Sequence, residues 1–299
     1  MSKNSKQAKT KSREYKRCTD GNKLRGGPIV NRSAQTLESI FTQREEDEQI
    51  RWTGSHFAVK DLFKSNLQPE VEKYLSFEKG VDCLHIGCGG GAFLTDMAFD
   101  YPKSRFFGVD TVQMTDILSS LPNVSFSLGN VKEGLQFPEN SFDYIEMREF
   151  GNLLNINQWP IVLKEVHRLL KPGGCAGFFD YELRETGNDA CARVFMAMKV
   201  LMEKQNQDPL AAQNLKKRAI DAGLEHVAFT ETSVNCGPDT GTAKTWRWFW
   251  KELCLYTGPV LSKVLKIDMK DWPDFVDDHI TDMTSYHGHI TVIRSLIQK

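Results

Sequence analysis

A chain of 299 residues with 40% hydrophobic and 26% charged residues has the make-up of a globular protein with one large domain or two small ones. The net charge of −1 sets up no global field for nucleic acid, and no apolar run reaches the roughly 18 residues a membrane helix needs. Seven scattered cysteines without a C-x-x-C pair argue for free thiols in a reducing compartment and against a zinc site.

The charge is unevenly placed. Residues 1–25 hold nine basic residues against Glu14 and Asp20, so this segment is +7 and the remainder −8. With few aliphatic residues, 1–40 is expected to be a disordered basic tail without the apolar core of a secretory signal. It reads either as a solvated tail or as a nuclear-import or polyanion-binding segment. Cytoplasmic residence follows, with nuclear access if the tail acts as an import signal. A folded domain is expected over 41–299.

From residue 44 the pattern alternates helix and strand. A helix is expected over 44–64 and a buried strand over 81–86 (VDCLHI). That strand runs into Gly87, Gly89, Gly90 and Gly91, then a helix over 92–100. Strands follow at 105–110, 124–128 and 142–147. Trp159, Val162, Leu163, Val166, Leu169 and Leu170 then share one face of a helix with Asn157 as cap and Pro160 in its first turn. Lys171-Pro172-Gly173-Gly174 stops it ahead of a strand at 175–181. A helix with Phe195, Met198 and Met202 on one face comes next, and the helical region ends at Ala222-Gly223. The last strands fall at 226–234 and 289–296. This alternation predicts a doubly wound α/β protein, with ligand beyond the carboxyl ends of the strands at the switch point.

Residues 237–286 are an insert between the last two strands. Trp246, Phe249, Trp250 and Leu253 recur at i, i+3, i+4, i+7, with Trp248 off that face. The face is either a lid over an apolar acceptor pocket or a helix packed on the sheet. The acidic 271–282 stretch, with His279, reads as a solvated helix face and not a metal site.

A strand, glycine turn and helix suit two cofactor classes. G-x-G-x-x-A on Gly87, Gly89 and Ala92 suits a dinucleotide pyrophosphate, and with it an NAD-dependent oxidoreductase. G-x-G-x-G on Gly87, Gly89 and Gly91 suits the amino-acid arm of S-adenosylmethionine. In both, Asp110, 19 residues past Gly91, lies about where a ribose-binding acid belongs.

Later segments separate the two. GNV (129–131), LQFPENSFDYI (135–145) and LKEVHRLLKPGG (163–174), in this order after the glycine turn, resemble the class I S-adenosylmethionine-dependent methyltransferases over roughly 44–234. Arg51 and His56 ahead of the glycine strand, together with QWP at 158–160, resemble the fungal LaeA or UMTA-like group. The resemblance implies a mostly parallel seven-stranded Rossmann-like sheet, a helical insert before the last strand, and S-adenosyl-L-methionine as cofactor. It implies that Gly87, Cys88, Gly89 and Gly91 line the methionine end. Asp110 and Thr111 would hold the ribose, Asn130 and Val131 would flank the adenine, and Met147 and Arg148 would lie at the cofactor's edge. His85 departs from the family pattern, which has Asp or Glu there. A neutral imidazole supplies a hydrogen bond but no negative charge, so a methyltransferase-fold protein that binds and regulates partners is the alternative to an active enzyme.

Methyl transfer needs positioning first and, for a hydroxyl acceptor, a base. Glu146, Glu149, Asp180, Tyr181 and Glu182 end strands four and five, and none stands out from sequence. The expected acceptor is a small or lipid-like molecule, with a protein acceptor as the alternative and no nucleic acid or membrane span.

Overall fold

The computed structural model describes residues 46–112, 121–184 and 189–299. The expected basic tail lies outside these residues, as does the start of the first helix. Seven strands form one sheet: β1 (Asp82–Ile86), β2 (Arg105–Asp110), β3 (Val124–Leu128), β4 (Phe142–Arg148), β5 (Leu170–Glu182), β6 (Glu225–Asn235) and β7 (His289–Gln298). Their order is β3-β2-β1-β4-β5-β7-β6. Strands β1 to β5 pair in parallel, while β7 runs antiparallel to both β5 and β6.

The helices are α1 (Glu46–Phe63), α2 (Ala92–Asp100), α3 (Trp159–Leu169), α4 (Asp189–Lys204), α5 (Ala211–Asp221), α6 (Gly241–Tyr256), α7 (Gly258–Leu265) and α8 (Trp272–Ser285). Side chains alternate across the sheet as the pleat requires. Leu84, Ile86, Ile145, Met147 and Phe178 face a core closed by α3 and α5. Cys83, Tyr144 and Cys175 face the opposite way, against Phe93, Leu94 and Met97 of α2. A third core joins Phe179 and Tyr181 of β5 to α4, α6, α7 and α8.

Two local expectations need correcting. Helix α3 begins after Gln158 and has no side-chain cap; Asn155 Oδ1 instead accepts the N–H groups of Asn157 and Gln158. Asn157 therefore does not cap it. The helix also ends one residue early, because Leu170 already pairs with Phe142, and the next pairing is Tyr144 with Cys175. Lys171–Gly174 are accommodated as an irregularity inside β5, with Gly173 at φ +79°.

The insert forms α6, α7 and α8. Trp246, Phe249, Trp250 and Leu253 are all 2% exposed or less, and Trp248 is 38% exposed. Trp250 stacks on Phe195 at 4.7 Å and Phe249 on Tyr181 at 5.3 Å. The aromatic face is packed into the third core. His279 departs from the expected solvated face. It is buried and accepts the Trp250 indole N–H at 3.0 Å, while Asp274, Asp277 and Asp278 remain exposed. The cysteines among the described residues are free and buried, and no helix there is long and apolar enough to cross a membrane.

This packing makes Trp250→Ala a core truncation. It is expected to cost about 3–5 kcal/mol, read as a lowered denaturation midpoint; a midpoint unchanged from the native chain would place Trp250 outside the core.

Candidate functional site

The site is built on the end of β1. Gly87, Gly89 and Gly91 have φ of +66°, +49° and +73°, a conformation that costs an L side chain energy. Space matters as much. A Cβ on Gly87 would stand 2.8 Å from Phe150 Cζ, and one on Gly89 2.7 Å from Trp52 Cε3. Two aromatic rings thus close over a backbone that must lack side chains. Gly91 turns the chain into α2, at whose N-terminus it stands.

Above the turn lies a cavity of about 170 Å³. Of the residues expected from sequence, His85, Gly87, Cys88, Gly89, Asp110, Thr111, Asn130, Val131 and Arg148 line it. Two do not. Gly91 shapes the turn from behind, and Met147 points through the sheet into the α3–α5 core. The reason for Met147 is parity: Arg148 faces the site, so its neighbour on a strand faces away.

Asp110 ends β2. One carboxylate oxygen accepts the Gly89 N–H at 2.9 Å and the other the Val112 N–H at 3.2 Å. Burial raises its pKa against the lowering effect of these N–H groups. Oδ1, the oxygen bound by Val112, also accepts the Thr111 hydroxyl at 3.5 Å, so Oδ2, with a single donor, keeps a lone pair for a ribose hydroxyl. Asn130 spends its side chain locally, donating to Glu133 at 2.7 Å and accepting the Lys132 N–H at 3.1 Å. Its oxygen keeps a second lone pair. The residues present therefore fit a ribose at Asp110 and a flat base beside Asn130 and Val131.

The opposite wall comes from α1. Arg51, Trp52, Ser55, His56 and Val59 line the cavity, at the i, i+1, i+4, i+5, i+8 spacing of one helical face. Sequence reasoning singled out Arg51 and His56 but missed Trp52 and Ser55, which this periodicity could have supplied. It also missed Phe93 and Phe150, whose neighbours at the site are remote in sequence, whereas Leu253, placed on the possible lid face, does line the cavity.

Helix α1 is held to α2 through Asp96, whose carboxylate accepts from Lys60 Nζ at 2.6 and 2.8 Å, Asn66 Nδ2 at 2.7 Å and His56 Nε2 at 3.0 Å. His56 Nδ1 lies 3.2 Å from Arg148 Nη1. Arginine can only donate, so Nδ1 accepts and Nε2 carries the proton. Burial, then the Arg148 charge, lowers the His56 pKa to about 4.

Among the candidate bases, Glu149 alone lines the cavity. It has φ +61°. Its Oε1 accepts from Ser55 at 2.6 Å and Tyr181 at 3.0 Å, and Arg51 lies 3.5 Å from Oε2. Glu146 is buried and bound to Arg148 and Tyr144. Asp180 accepts the Gly151 and Tyr181 N–H groups, and burial pushes its pKa up to about 7. Tyr181 closes on Ser55 and Glu149 from outside the cavity wall. Glu182 is buried against Arg184 and Gln213.

Comparison with known proteins agrees with this geometry. A family model described as a methyltransferase domain matches residues 83–174. The chain is 27% identical over 140 residues to the secondary metabolism regulator laeA of Coprinopsis cinerea, covering 46% of this chain and 34% of that protein. It is 34% identical over 113 residues to a demethylmenaquinone methyltransferase of Geobacillus stearothermophilus, covering 35% of this chain and 47% of that one. The chain thus spans between a third and a half of the length of these relatives. Among solved structures, the cyclase SpnF superposes with a TM-score of 0.50 at 18% identity, over 81% of this chain and 80% of that one. Phosphoethanolamine N-methyltransferase 2 of Haemonchus contortus, in complex with S-adenosyl-L-methionine, gives 0.50 at 14% identity, over 89% and 60%. These two likenesses concern the fold.

Strand order, glycine turn and matched domain define a class I S-adenosylmethionine-dependent methyltransferase domain. S-adenosylmethionine is the cofactor of such a domain.

Asp110→Ala is expected to weaken binding of S-adenosylhomocysteine about tenfold to a hundredfold by calorimetry, at about 1.4 kcal/mol per decade, with the circular dichroism spectrum retained. A second expectation concerns pH. The folded-state pKa of His56 lies below its unfolded value of about 6.5, so its contribution is present above pH 6.5 and lost as pH falls toward 4. The stability advantage of the native chain over His56→Gln should shrink by about 3 kcal/mol across that window. Asp180 acts with the opposite sign, its stabilising contribution declining from about pH 4 to pH 7. Comparing denaturation of the two chains at each pH cancels that common term.

Proposed function

We propose that this protein transfers a methyl group from S-adenosylmethionine to a small, largely apolar acceptor. The observation that carries the reading is the continuity of the cavity. One space runs from the ribose anchor Asp110 past the glycine turn to Glu149, with apolar walls from Trp52, Phe93, Phe150, Leu153, Leu154 and Leu253. Apolar walls with a few fixed polar groups suit a small molecule better than a protein segment, which needs an open groove with polar walls.

S-adenosylmethionine, when bound, supplies a methyl group already activated on a sulfonium. The chain's part is to hold the acceptor in line and keep water out. Trp52 and Phe150 seal the turn from both sides. Leu253 of the insert reaches the wall that the rest of its helix buttresses, so the insert supports the acceptor side without acting as a separate flap. Glu149, fixed by Ser55, Tyr181 and Arg51, is the group placed to take a proton from a hydroxyl acceptor.

A second reading has its own support. The Coprinopsis cinerea relative is named as a regulator, and the neutral His85 stands at the glycine turn, so a chain that binds cofactor and acts mainly through partners is the alternative.

The decisive measurement is transfer of labelled methyl from S-adenosylmethionine to a panel of small phenols, carboxylic acids and lipids, beside a panel of proteins. Label in a small molecule, reduced at least tenfold by Glu149→Gln if that acceptor is a hydroxyl, supports the proposal. Label confined to proteins overturns the acceptor class, and calorimetric binding of S-adenosylhomocysteine with no transfer anywhere favours the regulatory reading.

A further inference from the structure

The glycine end of the cavity contains a histidine with nothing to bond to. His85 is 5% exposed and lines the cavity, and neither Nδ1 nor Nε2 has a hydrogen-bond partner. Buried polar groups are rarely left so, and an orphaned pair on a residue that lines a cavity points to a ligand that completes it.

The register of β1 and β4 sets His85 beside Glu146, on the sheet face that Arg148 shares. On its other side lies Gly108 of β2, which offers no side chain. The Glu146 carboxylate is already engaged, with Arg148 Nε and the Tyr144 hydroxyl each donating at 2.6 Å. Phe93 packs edge-on against the imidazole at 5.0 Å and carries the Arg148 guanidinium over its ring at 4.5 Å. Burial, with the Arg148 charge, keeps His85 neutral. Glu149, which also lines the cavity, is held by Ser55, Tyr181 and Arg51. The polar residues of β1 and β4 that line the cavity wall, His85 and Arg148, therefore present a neutral imidazole beside a guanidinium, and Glu146 does not reach the lining.

We infer that His85 is the specificity-determining contact for the amino-acid arm of the cofactor: its ring N–H donates to the arm's carboxylate, and the α-ammonium is left without a carboxylate partner on this wall. The inference rests on the cofactor reading of the cavity. It separates ligands by the two ends of the arm. A nucleoside thioether that keeps the carboxylate and lacks the amino group binds almost as well as the complete one. One that lacks the whole arm does not.

Calorimetry on the full chain tests this with S-adenosylhomocysteine, its α-deaminated analogue and 5′-methylthioadenosine. On the native chain the deaminated analogue is expected within fivefold of S-adenosylhomocysteine, and 5′-methylthioadenosine at least fivefold weaker. His85→Phe, which keeps the ring packing against Phe93 and removes both nitrogens, should bring S-adenosylhomocysteine and 5′-methylthioadenosine within fivefold of each other. His85→Asp should make the amino group count, with the deaminated analogue at least fivefold weaker than S-adenosylhomocysteine. A fivefold or greater loss on deamination with the native chain overturns the inference, as does a folded His85→Phe that keeps the native preference for the full arm. If a variant does not fold, the three ligands on the native chain still decide. Failure of the native chain to bind any of them removes the cofactor reading itself, a result distinct from binding with the wrong ligand order.

Discussion

Everything at the site depends on the room left by two missing side chains. At Gly87 and Gly89 the backbone is left-handed, and the volume a Cβ would take is occupied by Phe150 and Trp52. Any other residue there meets both a conformational cost and a collision with an aromatic ring. The rings come from opposite directions, Trp52 from α1 and Phe150 from the loop after β4. The turn therefore ties the chain's first described helix to the middle of its sheet. It also forms the floor of the cavity and sets where Asp110 can receive the Gly89 N–H.

A second layer of order lies in how charge is disposed on the α2 side of the sheet. Glu146, Arg148, His56 and Asp96 form a continuous polar chain, from the Tyr144 hydroxyl to Lys60, with each link between 2.6 and 3.2 Å. Ions taken out of water are tolerable only when each is met by a partner, and here each is. The chain docks α1 onto the glycine end of the cavity and leaves His85 as the polar side chain in that region without a partner. Glu149 shows the same principle on the acceptor side. Its left-handed backbone costs about 1–2 kcal/mol, and three side chains hold its carboxylate toward the cavity. Strain of this kind, maintained by surrounding bonds at a cavity wall, is a mark of a working position.

The insert shows how one sequence pattern can carry two meanings. An apolar stripe at Trp246, Phe249, Trp250 and Leu253 marks a helix that buries one face, but it does not say against what. The stacking on Phe195 and Tyr181 decides it: all four close a core, and Leu253 also lines the cavity. His279 gave no signal at all, because its partner, Trp250, lies 29 positions away.

By itself the sequence determined what depends on neighbours along the chain. Helical and strand periods placed six of the seven strands and helices α2 and α3 within two residues, with β2, β3 and α2 matched at both ends. The strand–turn–helix around Gly87 and the distance to Asp110 located the cofactor end. Parity along β4 could have excluded Met147 once Arg148 was assigned to the site. Tertiary structure decided what depends on residues far apart. It placed β7 antiparallel between β5 and β6, carried β5 back to Leu170 through an irregular Lys-Pro-Gly-Gly segment, and brought the Trp52–Ser55 face of α1 over the turn. It also engaged Glu146 with Arg148 and Tyr144 while leaving His85 without a partner. The reason is physical: periodicity reports which face of an element is buried, whereas the identity of what meets that face is set only when distant segments compete for the same space and the same hydrogen bonds.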